Sequence, residues 1–144
     1  MNQEIEMDVG KNVGFKSGLA IWEREFADYT INNAVKEEEN KFTPNDPRKN
    51  SSIELYFEVV DMDNLYSEIV NANLDVCHEI VPQPWGQRVF RFFDPDGYLI
   101  EVGEPMWAVV LRLHEEGLSP KEIREKSMMP LEIINLIIRT NFGL

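Results

Sequence analysis

The sequence has one cysteine, Cys77, in 144 residues, so no disulfide can close within the chain and the usage fits a reducing compartment. With no basic neighbour in sequence to activate its thiol, Cys77 reads as a small buried hydrophobe. Histidine is almost as scarce, with His78 and His114 the two copies. His78 adjoins Cys77 in a strand-like stretch, where adjacent side chains point to opposite faces, so the pair cannot chelate one ion together. His114 lies in a helical stretch and reads as a surface or interface residue. No serine, histidine and acid arrangement is visible and no glycine-rich phosphate loop, so nucleophilic catalysis has little support. No apolar run approaches 18 residues and no basic-plus-apolar leader opens the chain, so a soluble cytoplasmic protein is expected. Basic residues are outnumbered, 14 against 26 acidic ones, for a net charge of -12. That balance disfavours a general nucleic-acid binder and an anionic membrane surface.

What is present is 43% apolar, enough for one domain with a real core, or one domain with an appendage. Its organising stretch runs from Ser52 to Met106 and reads strand, helix, strand, strand, strand. Ile53 to Val60 alternates, with Leu55, Phe57 and Val59 on one face, expected to be core, and Glu54, Tyr56 and Glu58 on the other. A helix follows, capped by Asp61 or Asp63, with Leu65 and Ile69 on its apolar stripe and Asn71-Ala72-Asn73 at its end. A short strand from Val76 to Ile80 leads into a loop at Pro82-Gln83-Pro84. Then Gln87 to Phe93 and Tyr98 to Gly103 form a hairpin about the turn Asp94-Pro95-Asp96-Gly97.

The run Pro84-Trp85-Gly86-Gln87-Arg88-Val89-Phe90-Arg91-Phe92-Phe93-Asp94-Pro95-Asp96-Gly97-Tyr98-Leu99-Ile100-Glu101 resembles the closing hairpin of the glyoxalase/bleomycin-resistance/dioxygenase superfamily, the vicinal oxygen chelate fold. Ile53 to Leu65 is similar to the opening strand and helix of that family's second βαβββ module. The resemblance implies an α+β protein in which paired βαβββ modules form a curved mixed sheet around a cleft. It also implies that Glu101 matches a ligand glutamate of metal-dependent members, while Glu54 stands where many of them have histidine. Strand-like pieces at Asn2 to Asp8, Val13 to Phe15 and Leu19 to Glu23 look like strands of the first module. The first strand and the helix of that module are absent, which predicts either a truncated product or a partner chain covering the gap; a homodimer is expected.

The domain reading is therefore an incomplete first module over 1–35, a linker over 36–52, the second module over 53–105 and a helical tail over 106–144. The linker is charged and broken by Pro44 and Pro47. In the tail, Met106 to Glu116 reads as a helix stopped by Gly117. Ser119-Pro120-Lys121-Glu122 is a capping box that opens a second helix, and Pro130 precedes a third. The outline resembles a helix-turn-helix, but five basic and five acidic residues make the segment neutral, without the charge that phosphate binding needs.

Glu54 and Glu101, with Glu23 or Asn12 from the first module, would suit a hard divalent cation such as magnesium or manganese. The competing reading for Glu101 is a salt bridge to Arg88 or Arg91 on the neighbouring strand. Trp22, Tyr56, Trp85, Phe90, Phe92 and Trp107, with Arg88, are candidates to line a ligand cleft, although each aromatic residue could instead be core. Trp85, between a proline loop and a glycine, favours a rim. The leading expectation is binding of a small organic molecule in an acidic aromatic cleft without metal or other cofactor, with a cationic or amine ligand preferred. The alternative that the resemblance implies is a divalent-metal-dependent lyase, isomerase or dioxygenase.

Overall fold

The computed structural model describes residues 4–27, 29 and 50–142, in two compact units, Met1–Phe42 and Thr43–Leu144. In the first unit, short alternating segments separated by glycines give an antiparallel meander of β1 (Ile5–Asp8), β2 (Asn12–Phe15) and β3 (Ala20–Trp22). Gly10 and Gly18 take the positive φ that the two tight turns demand. Residues 24–27 add a helical turn, and Phe26 stacks on Trp22 at 5.6 Å between centroids. Ile5, Val9 and Ile21 stay more than half exposed. The linker expected over 36–52 lies outside the described residues as far as 49, and from Asn50 the chain is already strand.

The second unit carries the βαβββ arrangement: β4 (Asn50–Glu58), α1 (Met62–Asn71), β5 (Asp75–Pro82), β6 (Arg88–Phe93) and β7 (Tyr98–Gly103). The sheet order is β4-β7-β6-β5, with β4 parallel to β7 and the other pairs antiparallel, so the sheet is mixed. Asp61 caps α1, its side chain accepting from the Asn64 amide. At the hairpin, Asp94 N–H donates to the Tyr98 carbonyl at 3.0 Å and Gly97 sits at φ 86°. That is a three-residue loop ending in a left-handed glycine, and it sets Phe93 opposite Leu99 and Arg91 opposite Glu101.

One sheet face packs on α1. Met62, Phe90, Phe92, Ile100 and Val102 are buried there against Leu65, Tyr66 and Ile69, and Tyr66 meets Phe90 edge-on at 5.2 Å. Leu55 and Phe57 register with Ile100 and Val102 on this face, as their alternation predicts. Yet they are 46% and 56% exposed, because β4 ends the sheet and has a described neighbour on one side only. The face away from α1 buries Val89, Phe93 and Leu99.

The tail folds as α2 (Met106–Glu115), α3 (Pro120–Ser127) and α4 (Leu131–Phe142), within two residues of the starts that the capping signals and Pro130 predict. The Ser119–Glu122 capping box opens α3, and Met128 ends it in a left-handed conformation. Val109, Val110, Leu113, Ile123, Ile134 and Ile138 make a core of their own. Among the described residues no helix is long and apolar enough to cross a membrane. Leu113→Ala, at a wholly inaccessible position, is expected to lower unfolding stability by about 2–5 kcal/mol. Leu136→Ala, at a position 60% exposed, should change it by less than about 0.5 kcal/mol, both read from urea midpoints.

Candidate functional site

Strand register brings the polar residues together on the face away from α1. Parallel pairing sets Tyr56 beside Glu101 and Glu58 beside Gly103, while antiparallel pairing sets Arg91 beside Glu101. Side chains at paired positions share a face. Arg91 is 5% exposed; its Nε donates to Glu54 Oε2 at 2.8 Å and its Nη2 to Glu101 Oε2. Of the two salt-bridge partners the sequence offers Glu101, Arg91 is the one that takes the role.

This donor set does not fit a divalent ion. Glu54 and Glu101 both turn an oxygen to the same guanidinium, and a metal between them would have to displace a buried, doubly paired cation. Among the described residues no three of His, Cys, Asp and Glu converge. Glu23, in the first unit, is half exposed and lies 3.8 Å from Lys11, and Asn12 is buried in β2.

A second cluster forms where β4, β6, β7 and α2 meet. The Tyr56 ring lies across Gly103, where an added Cβ would come within 2.7 Å of Tyr56 Cε2 and Oη. Glycine is what lets the ring lie flat there. Tyr56 Oη donates to Glu58 at 3.2 Å and accepts from Gln87 Nε2 at 2.8 Å. Desolvation, and then the Glu58 charge, hold the phenol above its ordinary pKa. Gln87 also donates to the Glu104 carbonyl and accepts from Trp85 Nε1. Behind it, the buried Glu104 carboxylate takes Arg112 Nε and Nη2 at 3.1 and 2.8 Å, with Arg88 Nε 3.7 Å away. Arg112 also donates to the Gly86 carbonyl at 2.7 Å. The Glu104 hydrogen bond raises the Arg112 pKa. The tail thus holds the 84–87 loop, and that loop holds Tyr56.

The remaining candidates separate. Phe90 and Phe92 are core on the α1 face, opposite Tyr56 and Arg91. Arg88 reaches Asp63 at the start of α1. Trp85 is half-buried beside Gln87, and Trp107 is 47% exposed on α2. Trp22, in the first unit, is 40% exposed. Sequence reasoning passed over Gln87, Glu104 and Arg112, whose roles depend on the tail folding back to the hairpin. His78, which the sequence reading sets aside as unable to chelate with Cys77, is 7% exposed, and its Nδ1 donates to the Glu79 carbonyl at 2.7 Å. Burial, with Arg91 nearby, pushes His78 down to a pKa of about 4.

Two outcomes follow from these environments. The unfolded histidine binds its proton near pH 6.5 and the folded one near 4. The stabilising effect of a neutral His78 is therefore complete above pH 6.5 and is lost as pH falls towards 4, by up to about 3 kcal/mol. Urea unfolding between pH 7 and 4 should show this loss, with a shallower slope for His78→Gln. Arg112→Ala should cost about 3 kcal/mol by leaving a buried carboxylate short of its main partner, and should increase quenching of Trp85 by acrylamide as the loop loosens.

The family model of the glyoxalase-like domain matches residues 1–107. A solved structure of a protein of unknown function from Agrobacterium tumefaciens is 36% identical, covering 71% of this chain and 74% of its own, with a TM-score of 0.37. A glyoxalase/bleomycin resistance protein/dioxygenase from Nocardioides is 15% identical over 71% of this chain and 66% of its own, with a TM-score of 0.36. A lactoylglutathione lyase from Agrobacterium tumefaciens is 19% identical over 72% and 75%, with a TM-score of 0.33. Comparison with curated proteins gives no match. With its βαβββ unit and a domain match over most of its length, the chain belongs to the glyoxalase/bleomycin-resistance/dioxygenase superfamily.

Proposed function

We propose that the chain binds a small organic molecule against the Tyr56 and Arg91 face of its mixed sheet, and does so without a resident metal ion. The observation that carries this reading is Arg91 lying between Glu54 and Glu101. A guanidinium there neutralises the carboxylates that would otherwise draw a hard cation, and the face keeps hydrogen-bonding groups in place of a Lewis acid. Tyr56 supplies a ring 45% exposed, with Glu58 and the half-exposed side of β4 beside it. A surface of this kind takes planar or amphipathic molecules. The net charge of -12 favours neutral or cationic ligands over anions. We further propose a homodimer, supported by the exposed apolar side chains of the β4 edge: Ile53, Leu55 and Phe57 are each at least 46% exposed.

Elemental analysis of protein purified without chelator or added metal, with its mass in solution taken from the same sample, tests both statements. Substoichiometric divalent metal and a dimeric mass are expected. One ion per chain would overturn the metal-free reading, and a monomeric mass the dimer. For the ligand, titration with aromatic amines followed by tryptophan and tyrosine fluorescence should saturate, and Tyr56→Ala should weaken it roughly tenfold, the size of one lost aromatic contact with its hydrogen bond.

A further inference from the structure

Strict alternation along β5 would send Val76, His78 and Ile80 to one face. Val76 and Ile80 do pack on the α1 side, in the core with Phe90 and Phe92. His78 does not follow them. Its partner across the ladder is Arg91, and the register shifts once between Val76 and His78 and again between His78 and Val81. Each irregularity inserts a residue, so two bulges flank His78 and turn it, unlike Val76 and Ile80, onto the face of Arg91 and Glu101. An aligned strand would be simpler; these irregularities have one evident product, a histidine beside a buried arginine.

Both side chains arrive with a polar atom to spare. His78 Nε2 and Arg91 Nη1 are buried and have no hydrogen-bond partner among the described residues. The histidine's tautomer follows from its other nitrogen: the Glu79 carbonyl can only accept, so Nδ1 carries the proton and Nε2 of the neutral ring is left with a lone pair. Arg91 Nη1 can only donate. The pair therefore offers one acceptor and one donor, opposite each other on neighbouring strands. Two carboxylates already face the one guanidinium, so the surroundings carry excess negative charge and disfavour an anion.

Resting on the small-molecule reading above, we infer that His78 and Arg91 form a subsite for an uncharged hydroxyl group of the ligand. The hydroxyl hydrogen is donated to His78 Nε2, and its oxygen accepts from Arg91 Nη1. A phenol or alcohol supplies both atoms in one group. A carboxylate supplies no hydrogen and adds charge, and a hydrocarbon supplies neither and leaves both polar atoms unmet. Because the two groups are shielded from bulk water, the contrast between these ligands is larger than at an open surface.

The test uses the full chain labelled with nitrogen-15 and three probes of similar size: phenol, toluene and benzoate. With two histidines in the sequence, the imidazole resonances are assigned by comparison with His114→Gln. Phenol should move the His78 Nε2 resonance from the position of a free acceptor towards that of a hydrogen-bonded one and bind roughly tenfold more tightly than toluene, while benzoate leaves it in place. In His78→Phe the phenol preference should disappear, and His78→Gln, which keeps an acceptor, should restore part of it. Phenol that binds without moving Nε2, toluene binding as well as phenol, or benzoate binding more tightly would each overturn the subsite and leave the small-molecule reading intact. No binding by any of the three would overturn the subsite, and the titration with aromatic amines then decides the small-molecule reading separately. The wild-type resonances decide the matter even where a variant fails to fold.

Discussion

A guanidinium withdrawn from water must be met by anions, since an unpaired buried charge costs several kcal/mol. Arg91 meets that condition across three strands at once, from β6 to Glu101 on β7 and on to Glu54 on β4. One cation therefore fastens an antiparallel pair to a parallel one. Slipping either ladder by one residue would carry the arginine or one of its partners to the α1 side, among Phe90, Phe92, Ile100 and Val102, where nothing could neutralise it. The electrostatics and the apolar core specify the same register, and the polar face follows from that agreement.

Much of this was legible in the residues. The Asp-Pro-Asp-Gly segment announces its hairpin, and Ser119 with Glu122 announces α3, because both are local chemistry: a side-chain oxygen satisfying a nearby amide. The partner of Glu101 was harder, since it turns on whether the loop holds three residues or four. One residue more or less exchanges the face opposite Glu101, and the left-handed Gly97 settles the count at three. Leu55 and Phe57 illustrate another limit: alternation assigns a face, whereas burial depends on whether the strand lies inside the sheet or ends it.

Bulges are further out of reach. Nothing in Val76-Cys77-His78-Glu79-Ile80 marks an insertion, and reading it with period two places His78 with the core. Only the pairing partners reveal two extra residues. The same holds for Gln87, Glu104 and Arg112, which lie close in sequence but acquire meaning from an α2 that begins three residues past the end of β7 and points Arg112 back at the hairpin loop.

The position of Glu104 bears on where this protein can be cut. The family match stops at residue 107, inside the first turn of α2, and an excised domain built to that boundary would lose Arg112 while keeping the acid it neutralises. The severed piece would hold a carboxylate that is 3% exposed in the intact chain, with Arg88 as its nearest cation from the hairpin, and an 84–87 loop deprived of its brace. Residues beyond the matched domain are thus a structural part of it, and expression boundaries for this protein belong after the last helix.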